Sequence, residues 1–330
     1  MRDRVTRRGL IQGIGLAAVS ARLPRPAYAT SQSAATPSPG VLVWHAIAPL
    51  PTARSETPGV TLDGLIYGCG GFGGDRRVDR YDAPTNAWTQ LEDLPVGVNH
   101  PGVAVLDGKV YVAGGYGSDL RALDHLWVYD PTVKAWQPGA SLPVALGAFG
   151  MAPVAGKLYA VGGAKEGLGG PVSGAVSVYD PAADAWSDGP EMLTPREHLA
   201  VVASQDKIYA VGGRANGSED DQFAAANEVL DPVGGQWSTL PPLPVPRGGL
   251  HGAFAVDTVI VAGGERGDKA FADVNQYDPA ADQWRALPKL TVARHGMPLA
   301  AIGSTIYAIA GSIHARSADN IAESQAMVLK

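Results

Sequence analysis

The sequence predicts an all-β protein in which six similar four-stranded units close into a ring. Glycine pairs recur after short apolar runs, and successive copies lie 44, 48, 50, 51 and 47 residues apart. A tryptophan recurs with each copy in a fixed register. The 42 glycines and 26 prolines follow no collagen-like period, which indicates many tight turns between short strands. A repeat of this length is typical of one four-stranded blade of a β-propeller. The six copies are Gly70-Gly71, Gly114-Gly115, Gly162-Gly163, Gly212-Gly213, Gly263-Gly264 and the degenerate Ala310-Gly311.

The spacing inside each unit is more constant than the period itself. Sixteen residues before each glycine pair stands an arginine or its replacement, namely Arg54, Val98, Leu146, Arg196, Arg247 and Arg294. Ten residues before that position stands a tryptophan in every unit: Trp44, Trp88, Trp136, Trp186, Trp237 and Trp284. Seven residues before the last five tryptophans stand Tyr81, Tyr129, Tyr179, Leu230 and Tyr277, each followed by Asp. This fixed register predicts that the tryptophans pack between blades; Trp127, near the end of a loop, is outside it.

Each unit is therefore expected to contain four strands, a to d. Strand a follows the arginine position, as in residues 198–203, and strand b ends at the glycines, as in residues 110–113. Strand c ends at Tyr-Asp, where a turn such as Asp180-Pro181 stops it because proline cannot donate to a ladder. Strand d begins near the tryptophan and ends at Leu-Pro.

The two ends of the chain indicate how the ring closes. Trp44 has no strands a to c before it, and the last unit has a strand c at residues 326–329 but no strand d. A strand over residues 41–44 can supply the missing strand d, which would close the ring and cover a sheet edge. Six blades follow.

These motifs resemble the kelch repeat over residues 41–330. The shared features are the Gly-Gly after strand b, the Tyr-Asp, the tryptophan seven residues later and the arginine that follows Pro-x-x. The departures are Val98 and Leu146 at the arginine position, Leu230 at the tyrosine position and Ala310 in the last glycine pair. The resemblance implies a six-bladed kelch β-propeller closed by an N-terminal strand. It does not imply one function, because kelch propellers serve as adaptors, lectin-like binders and enzymes.

The N-terminus has the features of an export signal. Arg7 and Arg8 form a twin-arginine pair, a short apolar stretch follows, and residues 27–29 (Ala-Tyr-Ala) supply a cleavage pattern. We therefore expect a twin-arginine signal peptide over residues 1–29, a linker over residues 30–40, and a periplasmic or secreted product. Later in the chain we expect no membrane span, because no other stretch is long and apolar enough.

Charge and cysteine usage narrow the classes of partner. Without residues 1–29 the chain keeps 20 basic and 31 acidic residues, a net charge of −11, which argues against nucleic acid and anionic membranes. Cys69 is the single cysteine, so no internal disulfide is expected. We therefore expect a monomer that has no cofactor and binds a carbohydrate or a protein or peptide ligand.

One face of the ring is expected to carry the binding site. From the second glycine to the tyrosine position the gaps are 10, 14, 16, 17 and 13 residues, whereas the other connections are constant in length. Variable loops on a fixed scaffold are where binding usually sits, so the channel mouth formed by the b–c and d–a connections is the predicted site. Its predicted ligand-binding residues are Arg54, His100, Arg196, His198, Arg214, Arg247 and Arg294. Guanidinium groups would suit a carboxylate ligand, and the alternative is that the repeated arginines tie the blades together.

An enzymatic alternative rests on a second resemblance. Glu265 follows the glycines of the fifth unit, which is similar to the acid–base carboxylate of N-acetylneuraminate epimerase, an exported kelch mutarotase. That family has an arginine six residues later, where this chain has Phe271. The resemblance implies Glu265 as the catalytic residue of a sugar mutarotase. His100, His198 and His295 show no metal-ligand spacing, so a metal site is not expected.

Overall fold

The computed structural model describes residues 41–73, 75–215, 223–315 and 319–330. The predicted signal peptide and linker, residues 1–40, lie outside the described residues, and both stay predictions. Residues 42–330 form one compact unit. In the described part of this unit all regular structure is β, and no helix there could cross a membrane.

The described residues of this unit contain twenty-eight strands. In chain order they are β1 (His45–Ile47), β2 (Gly59–Leu62), β3 (Leu65–Cys69), β4 (Val78–Asp82), β5 (Ala87–Gln90), β6 (Gly102–Leu106), β7 (Lys109–Ala113), β8 (Leu126–Asp130), β9 (Ala135–Gly139), β10 (Leu146–Gly147), β11 (Gly150–Val154), β12 (Lys157–Val161), β13 (Ala164–Lys165), β14 (Val176–Asp180), β15 (Ala185–Asp188), β16 (Ala200–Ala203), β17 (Ile208–Val211), β18 (Asn227–Asp231), β19 (Gln236–Thr239), β20 (His251–Ala255), β21 (Thr258–Ala262), β22 (Glu265–Arg266), β23 (Lys269–Ala270), β24 (Val274–Asp278), β25 (Gln283–Leu287), β26 (Leu299–Ile302), β27 (Thr305–Ile309) and β28 (Ser324–Val328).

Six antiparallel four-stranded sheets form the blades. In order they are β2-β3-β4-β5, β6-β7-β8-β9, β11-β12-β14-β15, β16-β17-β18-β19, β20-β21-β24-β25 and β26-β27-β28-β1. The strand pair β10-β13 and the hairpin β22-β23 add two small sheets in the connections. The predicted all-β fold with six kelch-type blades is confirmed.

The sixth blade is completed by the N-terminal strand. β1 pairs with β28, with His45 opposite Ala326 and Ile47 opposite Ser324. The paired residues, 45–47, come directly after the predicted strand at residues 41–44. Within that predicted segment, Leu42 and Trp44 instead pack against the core shared by blades 5 and 6. The predicted closure is confirmed, with the strand shifted toward residues 45–47.

Each blade is attached to its neighbour by the repeated tryptophan. Every indole Nε1 donates a hydrogen bond of 2.7–3.0 Å to a carbonyl that belongs to the preceding blade or its exit. Trp44 makes this bond to Pro288 and thereby completes the circle. The predicted packing role of these tryptophans is confirmed. Trp127 lies inside β8, not near the end of a loop, and is half-buried.

The core consists of six apolar clusters, one for each interface between neighbouring blades. The second strand of each blade is buried on both faces, as in β17 and β21, because blades pack on either side of it. The first strands of the six blades surround a central channel with a cavity of about 400 Å³.

Candidate functional site at the channel mouth

The four arginines of the repeat lie inside their blades. Arg196 has no exposed surface; its Nη1 donates to the carbonyls of Gly212 and Ala226, both at 2.8 Å, and its Nη2 lies 3.1 Å from Glu228. Arg247 and Arg294 likewise donate to the carbonyl of the first residue of the glycine pair in their blades, Gly263 and Ala310. These bonds join the entry of strand a to the end of strand b.

Three of these arginines, Arg54, Arg196 and Arg247, also have a side-chain partner on strand c, two residues before the tyrosine position. Arg54 forms a 2.9 Å ion pair with Asp79, and Arg247 donates to Asn275 Oδ1 at 2.9 Å. Buried guanidinium groups with partners of this kind are held by the protein itself, so the geometry favours a structural role for the repeated arginines. Their contacts join strands within one blade and do not tie neighbouring blades together.

Blades 2 and 3, which lack the arginine, differ at the partner position as well. Val98 and Leu146 replace the arginine there, and Trp127 and Ser177 occupy the position of Asp79. The out-of-register Trp127 thus stands where another blade has a carboxylate.

A closed ring of six backbone hydrogen bonds lies at the channel mouth. In each blade the residue two positions after the arginine position donates its N–H to the carbonyl of the equivalent residue in the preceding blade. These bonds measure 2.7–3.1 Å, and all six residues have φ between 50° and 63°. The axial ring, as we name this set, consists of Glu56, His100, Ala148, His198, Gly249 and Gly296.

A second tier surrounds the axial ring. The residue just before each axial position pairs, as an antiparallel bridge, with the residue that follows the glycine pair of the same blade. Blade 4 pairs Glu197 with Arg214, and blade 5 pairs Gly248 with Glu265. Short bridges of this kind place side chains from the d–a and b–c connections next to each other.

Seven ionisable side chains of these two tiers form a continuous network, the ionisable ring. His100 Nε2 lies 3.3 Å from Glu56 Oε2, and Glu56 Oε1 accepts a 3.0 Å hydrogen bond from His295 Nδ1. His295 Nε2 lies 3.6 Å from Glu265 Oε2, and Glu265 Oε1 pairs with Arg214.

The second half of the ionisable ring returns to its start. Arg214 Nη1 lies 3.6 Å from Glu197 Oε1, and the other oxygen of Glu197 accepts from His198 Nδ1. The His198 and His100 rings meet edge-on with centroids 4.7 Å apart. Blade 3 permits this contact, because it places Ala148 between the two histidines.

Burial and neighbouring charges shift the pKa values of the two histidines beside Glu56, His100 and His295, in opposite directions. Burial lowers the pKa of His100 to about 3. Burial also opposes the charged form of His295, but the Glu56 hydrogen bond and charge, with help from Glu265, raise its pKa to about 9. Burial alone would raise the pKa of the Glu56 carboxyl, yet the surrounding histidines hold it well below its usual value.

The structure brings together four of the residues predicted from the sequence: His100, His198, Arg214 and Glu265. Sequence reasoning did not select Glu56, Glu197 and His295, which complete the ionisable ring. Their position in the repeat could have indicated them, because all three stand one or two residues after an arginine position.

Three residues of the ionisable ring also line the central cavity. Glu56, His100 and His198 border it together with residues of the first strands of the blades. One ligand atom from each of the three lies within 4.8 Å of the others, a grouping that could hold a metal ion. This grouping was not predicted from the sequence, because the three residues come from blades 1, 2 and 4.

Comparisons with known proteins agree with the fold. Models described as "Kelch motif" match residues 98–143, 146–193 and 195–244, which correspond to blades 2, 3 and 4. A search of curated proteins gives no match. Among solved structures, the one titled "Structure of YjhT" is 18% identical, with a TM-score of 0.76 over 86% of this chain and 97% of that chain. At this identity the likeness concerns the fold alone. The motif matches and the sheet topology together show a six-bladed β-propeller with kelch motifs in blades 2, 3 and 4.

Proposed function

We propose that the chain is an exported binding protein that takes a carbohydrate at the channel mouth, over the ionisable ring. The observation that carries this proposal is the ionisable ring itself, where three carboxylates, three imidazoles and one guanidinium converge. Convergent polar groups at a recessed point of a rigid scaffold are typical of small-ligand sites.

The propeller does not need ionisable groups at these positions. The equivalent positions of blade 3 are Gly147, Ala148 and Ala164, and that blade forms the same four strands and the same backbone hydrogen bonds. Burying charged groups is costly unless they are well paired. Because blade 3 forms without them, ionisable side chains at these positions are not a requirement of the blade fold, and they are available for a binding role.

The chemistry of the ionisable ring favours a neutral, hydroxyl-rich ligand. Carboxylates accept hydrogen bonds from hydroxyl groups, and Arg214 and the histidines can donate to hydroxyl oxygens. A ligand carboxylate would instead bring a fourth negative group to Glu56, Glu197 and Glu265. The half-buried Phe72, whose ring centroid lies 5.4 Å from that of His100, offers an apolar surface beside these polar groups.

Saturation-transfer NMR on the full mature chain tests this proposal. The probes are galactose and N-acetylglucosamine as neutral sugars and N-acetylneuraminate as an acidic one. We expect saturation transfer to a neutral sugar that exceeds the transfer to N-acetylneuraminate. Transfer to none of the three, or to N-acetylneuraminate alone, contradicts the proposed neutral ligand.

A sugar mutarotase is the second candidate, and the neighbourhood of Glu265 supports it. Its carboxylate lies 3.6 Å from the His295 imidazole and beside Arg214, so an acid, a base and a cation stand close together. Mutarotation needs a group that accepts the anomeric hydroxyl proton and one that protonates the ring oxygen. NMR of anomer equilibration separates the candidates: a mutarotase accelerates it and loses the acceleration on Glu265→Gln, whereas a binding protein leaves the rate unchanged.

A further inference from the structure

The axial ring holds side chains where glycine would be the less strained choice. All six positions have a left-handed backbone, which costs a residue with a Cβ about 1–2 kcal/mol. Blades 5 and 6 use Gly249 and Gly296 there, and blade 3 uses the smallest side chain, Ala148. Only Glu56, His100 and His198 place larger side chains at the axis, and strain of this kind is concentrated at functional sites.

The three larger side chains are of the types that ligate transition metals. His100 Nε2 and Glu56 Oε2 are 3.3 Å apart. Two ligand atoms bound at about 2.0–2.1 Å to one tetrahedral ion stand about 3.3 Å apart, so this pair already has the required separation. The third ligand atom, from His198, lies within 4.8 Å of both.

Each of the three side chains is oriented by an outer partner. His100 Nδ1 donates to Asn99 Oδ1 at 2.7 Å, and His198 Nδ1 donates to the Glu197 carboxylate. Glu56 accepts from His295 through its other oxygen, Oε1. Outer partners that fix the tautomer of a histidine and the direction of a carboxylate are a regular feature of protein metal sites.

This hydrogen bonding leaves two acceptors facing each other. With its Nδ1 proton directed to Asn99, a neutral His100 directs the lone pair of Nε2 toward Glu56 Oε2 at 3.3 Å. Two acceptors at that distance repel each other unless a cation, either a proton or a metal ion, lies between them. The imidazole of His198 stands against His100, so its Nε2 lone pair is available to the same ion.

We propose that Glu56, His100 and His198 bind one divalent first-row transition metal ion, of the Zn²⁺ class, at the central cavity that they line. Two imidazoles and one carboxylate are a ligand set of zinc and non-haem iron sites that keep open positions. The open positions would face the cavity of about 400 Å³ and would take water or a ligand hydroxyl. This site is independent of whether a carbohydrate binds at the loop side of the ionisable ring.

Cobalt titration of the chelator-treated full chain tests the proposal. Co²⁺ alone is added while visible absorption is recorded, followed by Zn²⁺. We expect saturation at one Co²⁺ per chain, visible d–d bands, and loss of these bands as Zn²⁺ replaces Co²⁺. A wild-type protein that shows no saturable Co²⁺ binding overturns the proposal without any variant.

Three variants locate the bound ion. Glu56→Gln and His198→Ala each remove one proposed ligand, and Ala148 shows that the axial ring accommodates alanine. His45→Ala removes an exposed histidine of β1 and serves as the matched control. We expect affinity to fall more than about 100-fold in the two ligand variants, beyond the 10–100-fold typical of a lost outer partner. His45→Ala should match the wild type.

The remaining outcomes also decide the question. Circular dichroism establishes which variants are folded, and wild-type affinity in both folded ligand variants overturns the proposal. If neither ligand variant folds, Asn99→Ala takes their place, because it removes only the partner of His100 Nδ1. A 10–100-fold loss of affinity in that variant supports the site, and an unchanged affinity overturns it.

Discussion

At the scale of single residues, the channel mouth depends on which axial positions carry a side chain. Gly296 and Gly249 have almost the same backbone, with φ of 58° and 63°. A Cβ added at Gly296 would lie 2.3 Å from Glu56 Oε1, whereas one added at Gly249 would meet the Glu265 and His295 side chains at 3.4 Å. The missing side chain at Gly296 thus makes room for the Glu56 carboxylate beside His295.

A matched pair of variants tests this arrangement. Gly296→Ala and Gly249→Ala both impose a left-handed backbone on alanine, at a cost of about 1–2 kcal/mol each. Gly296→Ala should also displace the Glu56 carboxylate from His295, and breaking a buried ion pair costs about 3–5 kcal/mol when one partner is left alone. Urea denaturation should therefore show a clearly larger loss of unfolding free energy for Gly296→Ala. Equal losses for the two variants would show that Glu56 is not held against His295.

At the scale of the elements, each blade is held together by contacts between strands b, c and the entry of strand a. The buried arginine joins the glycine end of strand b to a polar group on strand c, as Arg196 does with Gly212 and Glu228. Blade 3 replaces this arrangement by Leu146 and Ser177 and keeps the same strands. The arginine is thus one of two ways to complete a blade.

Transfer of the blade 3 residues into blade 4 tests this role. Arg196→Leu should lower the unfolding free energy by about 3–5 kcal/mol, because Glu228 is left buried without its cation. The double variant Arg196→Leu with Glu228→Ser should recover most of the loss, as measured by urea denaturation. Sugar affinity should not change in the folded double variant. A double variant that is stable but has lost the sugar would instead support the prediction that these arginines bind the ligand.

At the scale of the whole molecule, the chain forms a circle closed by its own N-terminal strand. The tryptophan hydrogen bonds run around all six blades, and the bond from Trp44 to Pro288 joins the two ends of the series. β1 covers the edge of β28 that would otherwise be free to pair with other chains.

Two truncations test the closure. A chain that begins at residue 49 lacks β1 and the half-buried Trp44 with its hydrogen bond to Pro288. It should lose more than about 3 kcal/mol, because a whole strand and a large aromatic contact are removed together. A chain that begins at residue 41 keeps both and should unfold at the same urea concentration as the untruncated mature protein. Matching midpoints for the two truncated chains would contradict the closure.

The sequence was sufficient for the propeller and for part of the site. The fixed distances between tryptophan, arginine and glycine positions predict four strands per unit, and the missing strand d predicts the closure. His100, His198, Arg214 and Glu265 were predicted at the mouth because their connections follow from that register. Residue type alone does not show that Arg54 or Arg196 points into its blade.

Contacts between blades that are not neighbours were beyond a sequence argument. His100 and His198 are separated by a whole blade in the chain, and they meet because Ala148 is small and the axial ring is narrow. The closeness of Glu56 to both depends on the six backbone hydrogen bonds, which no local pattern predicts.

Comparing Glu197→Gln with Glu166→Gln shows whether the ionisable ring is the ligand site. Both variants exchange a carboxylate for an amide on the same face, but Glu197 belongs to the ionisable ring, and Glu166 is exposed on a neighbouring b–c loop. NMR titration in chelator-containing buffer would use the sugar of the three-sugar panel that the wild type binds most tightly. We expect at least a tenfold loss of affinity, about 1.4 kcal/mol, for Glu197→Gln and wild-type affinity for Glu166→Gln. Equal affinities for the two variants would contradict this expectation.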